Sequence, residues 1–339
     1  MDISKVKKKI VDANLEALSI IKLIFVRTLC IISTVLCELR RDYMFGVYFG
    51  KYLQDIGVIT GEQYNELIMT SRTSRVKMGL LAVAEGFMSQ AQAEEVNMLQ
   101  AQQDARFGDI AISKGYLTEE QVGLLLKKQG DSYLLFVQAL IEGNYLTLED
   151  IQHHLNHYKR SERLTSLELD AIKSSDIDKV IQIFLKDTNV PTIVKDYVAL
   201  MARNIIRFID NKVRFERIEK IHTYTTKHIA SQCFTGDYEL FIGICGAGDK
   251  VFAEAYAKEE FEQIDEDCLD AVCEFINVCN GLFASKLSQE EIEIDMLPPN
   301  MYTDDTTIST EGMMYMLPCF VGDSRADIVI CMETKWCID

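Results

Sequence analysis

A carboxylate and a carboxamide stand close together in the stretch from Asp270 to Pro299. Glu274 and Asn277 have the i, i+3 spacing that places two side chains on one face of a helix. A carboxylate can pair with a cation, and a carboxamide can both accept a hydrogen bond from a water and donate one to it. The apolar residues that would form the buried stripe of this helix are Val272, Phe275, Ile276, Leu282, Phe283 and Leu287. On spacing alone, an exposed helix face without a function has the same pattern.

The residues around this pair resemble the signature of a known family. Asp270 precedes the pair and Pro298 follows it, and the pattern D-x-x-x-E-x-x-N…P resembles that of the CheC/CheX-type chemotaxis phosphatases. Gly281 stands where helices of that family usually carry a small residue. The family proline usually lies slightly further from the Asn than Pro298 does. The resemblance extends over residues 164–332.

The resemblance implies a phosphatase that hydrolyses the aspartyl phosphate of a response-regulator receiver domain. Asn277 would position a water in line with the phosphorus, and Glu274 would pair with the active-site lysine of the receiver. The receiver itself holds Mg²⁺ in that family, so no cofactor is expected on this chain. The resemblance also implies a homodimer. A noncatalytic alternative stays open, in which the domain serves a signalling scaffold or a cyclic di-GMP sensor for dimerisation or receiver docking.

The composition indicates an ordered, acidic globular protein. The chain has 339 residues, of which 48% are apolar and 26% charged, and it is long enough for two domains. A formal charge of −17 argues against nucleic acid as a partner. The ten cysteines form no paired C-x-x-C framework and follow no signal peptide. They are interpreted as reduced core thiols, and we predict a cytoplasmic protein.

Residues 1–43 are predicted to be a separate N-terminal extension. Residues 17–37 are apolar for long enough to span a bilayer, but Lys22 and Arg27 would each cost about 2.5–3.5 kcal/mol at its centre. Membrane association through residues 17–37 is therefore the alternative to a cytoplasmic location. The extension is interpreted as an amphipathic helix or as a segment that is not native, with translation beginning at Met44.

A repeated pattern occupies residues 44–160. Glycines recur at positions 50, 79 and 108, an interval of 29 residues, and again at 57, 86 and 115, and a fourth copy continues from Leu135. Thr60, Ser89 and Thr118 each precede a Gln by three positions, which is the pattern of a capping box, and Asp150 replaces that Gln in the fourth copy. The pattern predicts four pairs of short helices that bury one another's apolar faces.

The third copy is similar to the repeat of the MshEN family, found at the N-termini of type II secretion ATPases, in which paired repeats bind cyclic di-GMP. The candidate nucleotide-binding residues are Arg106, Gly108, Gly115 and Gln129 of the third copy and Lys77 and Gln100 of the second. The leading Arg and closing Gln are Tyr48 and Ser71 in the first copy, and Leu135 and Tyr158 in the fourth. Cyclic di-GMP is thus a candidate ligand of the second and third copies, and the alternative is a packing or protein-binding role.

The predicted fold class is α+β. An all-α helical repeat domain is followed by a polar linker at residues 161–178 and a CheX-like domain at 179–339 with a largely antiparallel sheet and a long active-site helix. Helices are expected at 177–186, 191–209, 250–258 and 263–287. Strands are expected at 217–231, 238–245, 291–297, 313–321 and 326–332.

Two other patterns could carry chemistry. Cys319-x-x-Gly322-x-x-Arg325 has the spacing of the phosphate loop of cysteine-dependent tyrosine phosphatases, which must lead into a helix that lowers the thiol pKa. A strand is predicted after it, so a hairpin turn is favoured. His153 and His157 have the i, i+4 spacing of a chelating pair, but no third ligand accompanies them. We therefore predict an exposed helix face and no metal site.

Overall fold

The computed structural model of the protein describes residues 44–102, 105–186, 188–209, 212–246, 248–332 and 336–338. These residues belong to one compact unit. The predicted N-terminal extension, including the apolar residues 17–37, lies outside the described residues.

Eleven helices precede the first strand in the part of the chain that the structure describes. They are α1 (Met44–Asp55), α2 (Gly61–Thr73), α3 (Met78–Ala84), α4 (Gln90–Gln102), α5 (Phe107–Ser113), α6 (Glu119–Lys127), α7 (Ser132–Glu142), α8 (Leu148–Ser161), α9 (Ser166–Lys173), α10 (Ile177–Leu185) and α11 (Thr192–Phe208). The first eight form four successive pairs that coincide with the four copies of the repeat. The predicted helix pairs are therefore confirmed, whereas the likeness to the MshEN family stays a prediction.

A left-handed turn followed by a capping box joins the two helices of each pair. Gly57, Gly86 and Gly115 adopt φ values of +73°, +71° and +70°, which glycine reaches without a steric penalty. Asn144 takes the same place in the fourth copy with φ of 53°. The hydroxyls that accept from the third backbone N–H of the next helix are those of Thr60, Ser89, Thr118 and Thr147. The predicted capping boxes are thus confirmed, and the fourth copy has one as well.

The four copies do not share one core. The second and third copies bury a separate cluster, which includes Leu81, Val96, Ile110 and Leu125 and which Leu134 and Leu135 complete from the next helix. In the first and fourth copies, other residues replace the leading Arg and the closing Gln of the repeat. These residues are Tyr48, Ser71, Leu135 and Tyr158, and all four are buried. Tyr48 and Tyr158 belong to the large core that also holds the sheet, and Leu135 belongs to the cluster of the second and third copies, which explains why these positions differ from the repeat pattern.

Residues 161–178 are not the polar linker that their composition predicted. They contain α9, which begins with a capping box between Thr165 and Glu168. Leu169 and Ile172 are buried in the large core that also holds α1 and the sheet. The polar residues lie on the outer face of a short amphipathic helix, and a composition average does not show that arrangement.

Nine strands and two further helices are described after α11. They are β1 (Arg214–Phe215), β2 (Glu219–Thr226), β3 (Ile229–Gly236), β4 (Leu240–Cys245), α12 (Asp249–Ala257), α13 (Glu266–Gln289), β5 (Ile294–Met296), β6 (Asn300–Tyr302), β7 (Thr306–Val321), β8 (Ser324–Met332) and β9 (Trp336–Ile338). The strand order is β1-β7-β8-β4-β3-β5, while β2 and β9 also pair with β7 and β6 with β3. Every described pair is antiparallel. The predicted α+β class with an antiparallel sheet and a long helix is confirmed.

Alternate residues of the strands face different cores. Ala230, Phe234 and Ile242 point to the side that α11, α12 and α13 cover. Ile229 and Phe241 point to the opposite side, where the curled sheet buries a smaller cluster. Helices therefore cover one face of the sheet, as predicted.

Tyr48 attaches the first helix to the sheet. Its hydroxyl accepts a hydrogen bond of 2.9 Å from the backbone N–H of Phe215 in β1. Its ring stacks on Phe184 of α10 with 5.4 Å between ring centroids. Burial raises the pKa of the Tyr48 phenol well above its ordinary value, so the group stays neutral at physiological pH.

Candidate functional site

Polar and charged side chains make specific interactions at both ends of the long helix α13. Asp265 accepts a hydrogen bond of 3.1 Å from the backbone N–H of Cys268, and Glu266 and Asp267 add negative charge to the first turn. Near the other end, Lys286 forms an ion pair of 2.8 Å with Asp196 of α11. These interactions fix where the helix starts and how it lies on the neighbouring helix. Among the described helices α13 is long and apolar enough to cross a membrane, yet its apolar stripe is buried against the sheet.

Glu274 and Asn277 lie on the exposed face of α13. The opposite face is buried and consists of Cys268, Leu269, Ala271, Val272, Cys273, Phe275, Ile276, Cys279, Asn280, Phe283 and Leu287. Asp270 is exposed on the same side as the pair, one turn before Glu274. The structure thus places the two predicted catalytic residues together on a solvent-facing surface of a rigid element.

The two remaining motif residues lie along the edge of this surface. A Cβ atom added to Gly281 would come 4.0 Å from the terminal methyl group of Met296 in β5, so a small side chain fits there. Pro298 is exposed in the segment between β5 and β6, and its carbonyl accepts a hydrogen bond of 3.5 Å from Asn300 Nδ2. Both residues support the surface beside α13 and lie outside the pair itself.

A chain of hydrogen bonds runs from the core to Asn277. The Tyr197 hydroxyl donates to Asn280 Oδ1 at 2.6 Å, and Asn280 Nδ2 donates to Gln232 Oε1 at 2.9 Å. Gln232 Nε2 then donates to Asn277 Oδ1 at 2.9 Å and to the Leu297 carbonyl at 2.8 Å. Tyr197, Asn280 and Gln232 are buried, whereas Asn277 is exposed. The exposed amide is therefore held from beneath by a buried polar chain.

The surroundings of Glu274 are acidic and partly aromatic. Tyr256 of α12 packs its ring against Phe275 at 5.5 Å between centroids. Burial raises the pKa of the Tyr256 phenol, and the negative charge of Glu274 adds to that rise. Together with Asp270, the Glu274 carboxylate makes this end of the surface suited to a cationic partner.

Exposed apolar side chains border the same surface. Four of these side chains have exposed fractions of 38% to 43%, and they are Val278 of α13, Met296 of β5, Leu297 between β5 and β6, and Met301 of β6. Both β5 and β6 contact α13, and the Leu297 carbonyl shares the Gln232 amide with Asn277. We call these four residues the apolar rim. A polar pair bordered by apolar groups is typical of a protein-binding surface.

Comparison with known proteins agrees with this description of α13 and the sheet. Residues 229–318 match the family model described as chemotaxis phosphatase CheX. The match covers roughly a quarter of the chain, and this CheX segment contains Gln232, Glu274, Asn277 and Asn280. No curated protein sequence matched the chain.

Several solved structures are similar to part of this chain. CheX from Desulfovibrio desulfuricans is 18% identical, with a TM-score of 0.37, over 42% of this chain and 100% of that chain. CheX from Vibrio vulnificus is 16% identical, with a TM-score of 0.36, over 42% and 100%. The CheX–CheY–BeF₃–Mg²⁺ complex from Borrelia burgdorferi contains a chain that is 14% identical, with a TM-score of 0.31, over 43% and 97%.

Four of the six candidate nucleotide-binding residues of the second and third copies have structural roles. An added Cβ at Gly108 would come 3.0 Å from Val122, so this glycine permits close helix packing, and Gly115 has the left-handed conformation of the turn. Gln100 donates to the Ala105 carbonyl at 3.3 Å and Gln129 to that of Val76 at 3.4 Å. Arg106 is exposed at the start of α5 and has no side-chain cap bond.

Lys77 lies in an acidic environment. Its ammonium forms an ion pair of 2.6 Å with Glu142 of the fourth copy. It lines a cavity of about 740 Å³ that also has the carboxylates of Glu94, Glu149 and Asp150 in its wall. This charge disfavours a phosphate group at Lys77. Cyclic di-GMP binding stays a prediction.

The rival patterns lack the geometry that they would need. Cys319 is fully buried in β7, and burial raises the pKa of its thiol far above the range of a reactive thiolate. The residues after it form the β7–β8 hairpin predicted from the sequence. His157 Nδ1 is within 2.6 Å of the Tyr52 hydroxyl, and the described residues contain no cluster of three metal-ligating side chains.

Gln232, Asn280 and Tyr197 were not among the site residues predicted from the sequence. Two signals were present in the pattern. Asn280 stands at a core position of α13, between Ile276 and Phe283, where a polar side chain needs a partner. Gln232 alternates with Ala230 and Phe234, so it had to face the helices.

Proposed function

We propose that the protein is a phosphatase of receiver domains, which hydrolyses the aspartyl phosphate of a phosphorylated response regulator. The observation that carries the proposal is the exposed Glu274–Asn277 pair on α13, within the segment that matches the CheX model. The buried chain behind Asn277 supports it, because a purely solvated amide would need no such support.

The proposed reaction requires no covalent bond between this chain and the phosphoryl group. An aspartyl phosphate is an activated acyl phosphate, so hydrolysis requires a water held in line with the phosphorus and opposite the leaving carboxylate. Asn277 Oδ1 has a second lone pair beyond the one used by Gln232, and its Nδ2 has two N–H groups. Both can contact the attacking water or a phosphoryl oxygen. Mg²⁺ belongs to the receiver in this proposal.

Glu274 has a binding role in the proposed complex. One turn from Asn277, its carboxylate can pair with a lysine at the receiver active site and thereby align α13 with the phosphoryl group. The apolar rim lies where the receiver surface would contact the edge of α13. Apolar contact would supply binding free energy, and the charge pair would fix the orientation.

The decay of phosphorylated receiver domains from the same organism tests the proposal. Wild-type protein should accelerate the loss of ³²P-labelled aspartyl phosphate from at least one receiver. Asn277→Ala should slow this reaction on the order of 10²-fold while receiver binding is retained, because it removes a group that acts on the water. Glu274→Ala should weaken both binding and rate.

Asn156→Ala is a matched control. Asn156 is an exposed Asn on helix α8, outside the CheX segment, so its removal should leave the rate unchanged. Full activity in Asn277→Ala would exclude the proposed mechanism. Unchanged decay of every receiver tested would exclude the enzyme and favour the scaffold alternative.

A further inference from the structure

We propose that Gln232 is a positioning residue, which fixes the amide of Asn277 so that its Nδ2 hydrogens face the bound receiver. The inference rests on the proposed function for its catalytic consequence. Its structural basis is the chain Tyr197, Asn280, Gln232 and Asn277, in which only Asn277 belongs to the motif signature.

The Leu297 carbonyl determines which side-chain atoms in this series of hydrogen bonds donate and which accept. A backbone carbonyl can only accept, so the Gln232 group 2.8 Å from it must be the Nε2 donor. Gln232 Oε1 then faces Asn280, which must present Nδ2 to it, and Asn280 Oδ1 faces the Tyr197 hydroxyl. The opposite assignment would place two oxygens together at Leu297.

The hydrogen bond from Gln232 also fixes the orientation of the outermost amide, that of Asn277. Because Gln232 Nε2 also donates to Asn277 at 2.9 Å, the Asn277 atom that faces inward is Oδ1. An Asn277 turned over by 180° would set its Nδ2 against Gln232 Nε2, donor against donor. Since Asn277 is exposed and Gln232 is 2% exposed, the Nδ2 hydrogens are left on the solvent side.

All hydrogen bonds of the chain point the same way, from the core to the surface. Each amide accepts at its oxygen and donates at its nitrogen, so each bond polarises the next. The last donor of this series is the Nδ2 group of Asn277. Water cannot replace the inner donors, because Tyr197 and Asn280 are 0% exposed. The arrangement presents a stronger and better aligned N–H donor than a free Asn would.

This role predicts an effect on the rate constant of the bound complex. Gln232→Glu keeps the side-chain shape and can still accept from Asn280, but an ionised carboxylate donates to neither Asn277 nor the Leu297 carbonyl, and a protonated acid donates to only one of them. Loss of the preferred Asn277 orientation should lower kcat about tenfold, while KM for the phosphorylated receiver stays about the same. Gln232→Met, which is neutral and similar in length, should act in the same direction.

A double-mutant comparison separates positioning from a general structural role. In the Asn277→Ala background, Gln232→Glu should cause no further loss of rate, because the group that it positions is absent. An equal tenfold loss in that background would overturn the proposal. An increase in KM with kcat unchanged would overturn it as well.

Side-chain amide signals in ¹H–¹⁵N spectra test the hydrogen bond without any enzymatic readout. Asn277→Ala removes an exposed side chain, and it should shift one Gln232 Hε2 signal, because that hydrogen loses its acceptor. The Asn156 amide signals should not move. An unchanged Gln232 spectrum would overturn the proposed contact. Shifted signals in a protein that hydrolyses no receiver phosphate would instead exclude the proposed function and retain the hydrogen-bonded chain.

Discussion

Replacement of Asp249 should make the protein more stable at neutral pH. Asp249 is the first residue of α12, it is 0% exposed, and neither carboxyl oxygen has a hydrogen-bond partner among the described residues. Burial raises the pKa of this carboxyl well above its ordinary value, and the charge of Asp327 adds to the rise, while the Gly246 backbone offsets it only in part. The native protein therefore binds a proton here that the unfolded chain releases.

The sign of the pH dependence follows from this difference in bound protons. Above the pKa of the unfolded carboxyl, about 3.9, the stability of the wild type falls by up to about 1.4 kcal/mol per pH unit until the folded pKa is reached. An asparagine in place of Asp249 would be neutral at every pH and similar in shape to the protonated acid. The free energy of unfolding of Asp249→Asn should thus exceed that of the wild type by an amount that grows from pH 5 to pH 7.

Urea unfolding at pH 5, 6 and 7 measures this difference. Asp323→Asn is the matched control, since Asp323 is exposed in the β7–β8 turn and its replacement removes the same charge without burial. The control should follow the wild-type profile. Parallel pH profiles for Asp249→Asn and wild type would refute the reasoning, because they would show that the two states bind this proton equally.

Two further predictions concern the helical region. Tyr48→Phe should lower the free energy of unfolding by about 1–3 kcal/mol, because the buried N–H of Phe215 loses its acceptor; Tyr145→Phe, which loses a hydroxyl contact at the surface, should cost less in the same urea titration. If the third copy binds cyclic di-GMP, Arg106→Ala should weaken binding at least tenfold in calorimetry, whereas Lys127→Ala should leave it unchanged; equal binding by both variants would place the ligand elsewhere.

Local signals predicted most of the helices and strands. The helix expected at 263–287 corresponds to α13 at Glu266–Gln289, since its apolar stripe is visible in the sequence, and the four turn-and-cap pairs follow from the repeat. In place of the single strand predicted at 217–231, the structure has two strands, β2 and β3, which are joined by a turn at residues 227–228. Strand β6 was not predicted at all. Its residues are mostly exposed, and they pair with β3, far away in the sequence, which no local pattern reveals.

The candidate site likewise contains residues that local sequence signals predict and residues that depend on contacts between distant parts of the sequence. Glu274 and Asn277 share one helix, so their spacing alone places them on one face. Gln232 and Tyr197 reach the site from β3 and α11, at 45 and more residues from Asn277 in the sequence. Their contacts depend on how α11 and the sheet pack on α13. The polar positions could be identified as buried, but their partners could not be named from the sequence.

The contact between Tyr48 and β1 limits how freely the two halves of the protein can be recombined. The large core includes side chains from Met44 through Ile330, so α1 and the sheet are parts of one hydrophobic interior. A fragment without residues 44–160 would expose Phe184 and Phe215 to water and would tend to self-associate. Gene fusions that exchange the helical region as an independent module should therefore fail unless the donor supplies a matching surface for β1. The first and fourth repeats and the sheet are therefore expected to unfold together, in one cooperative transition.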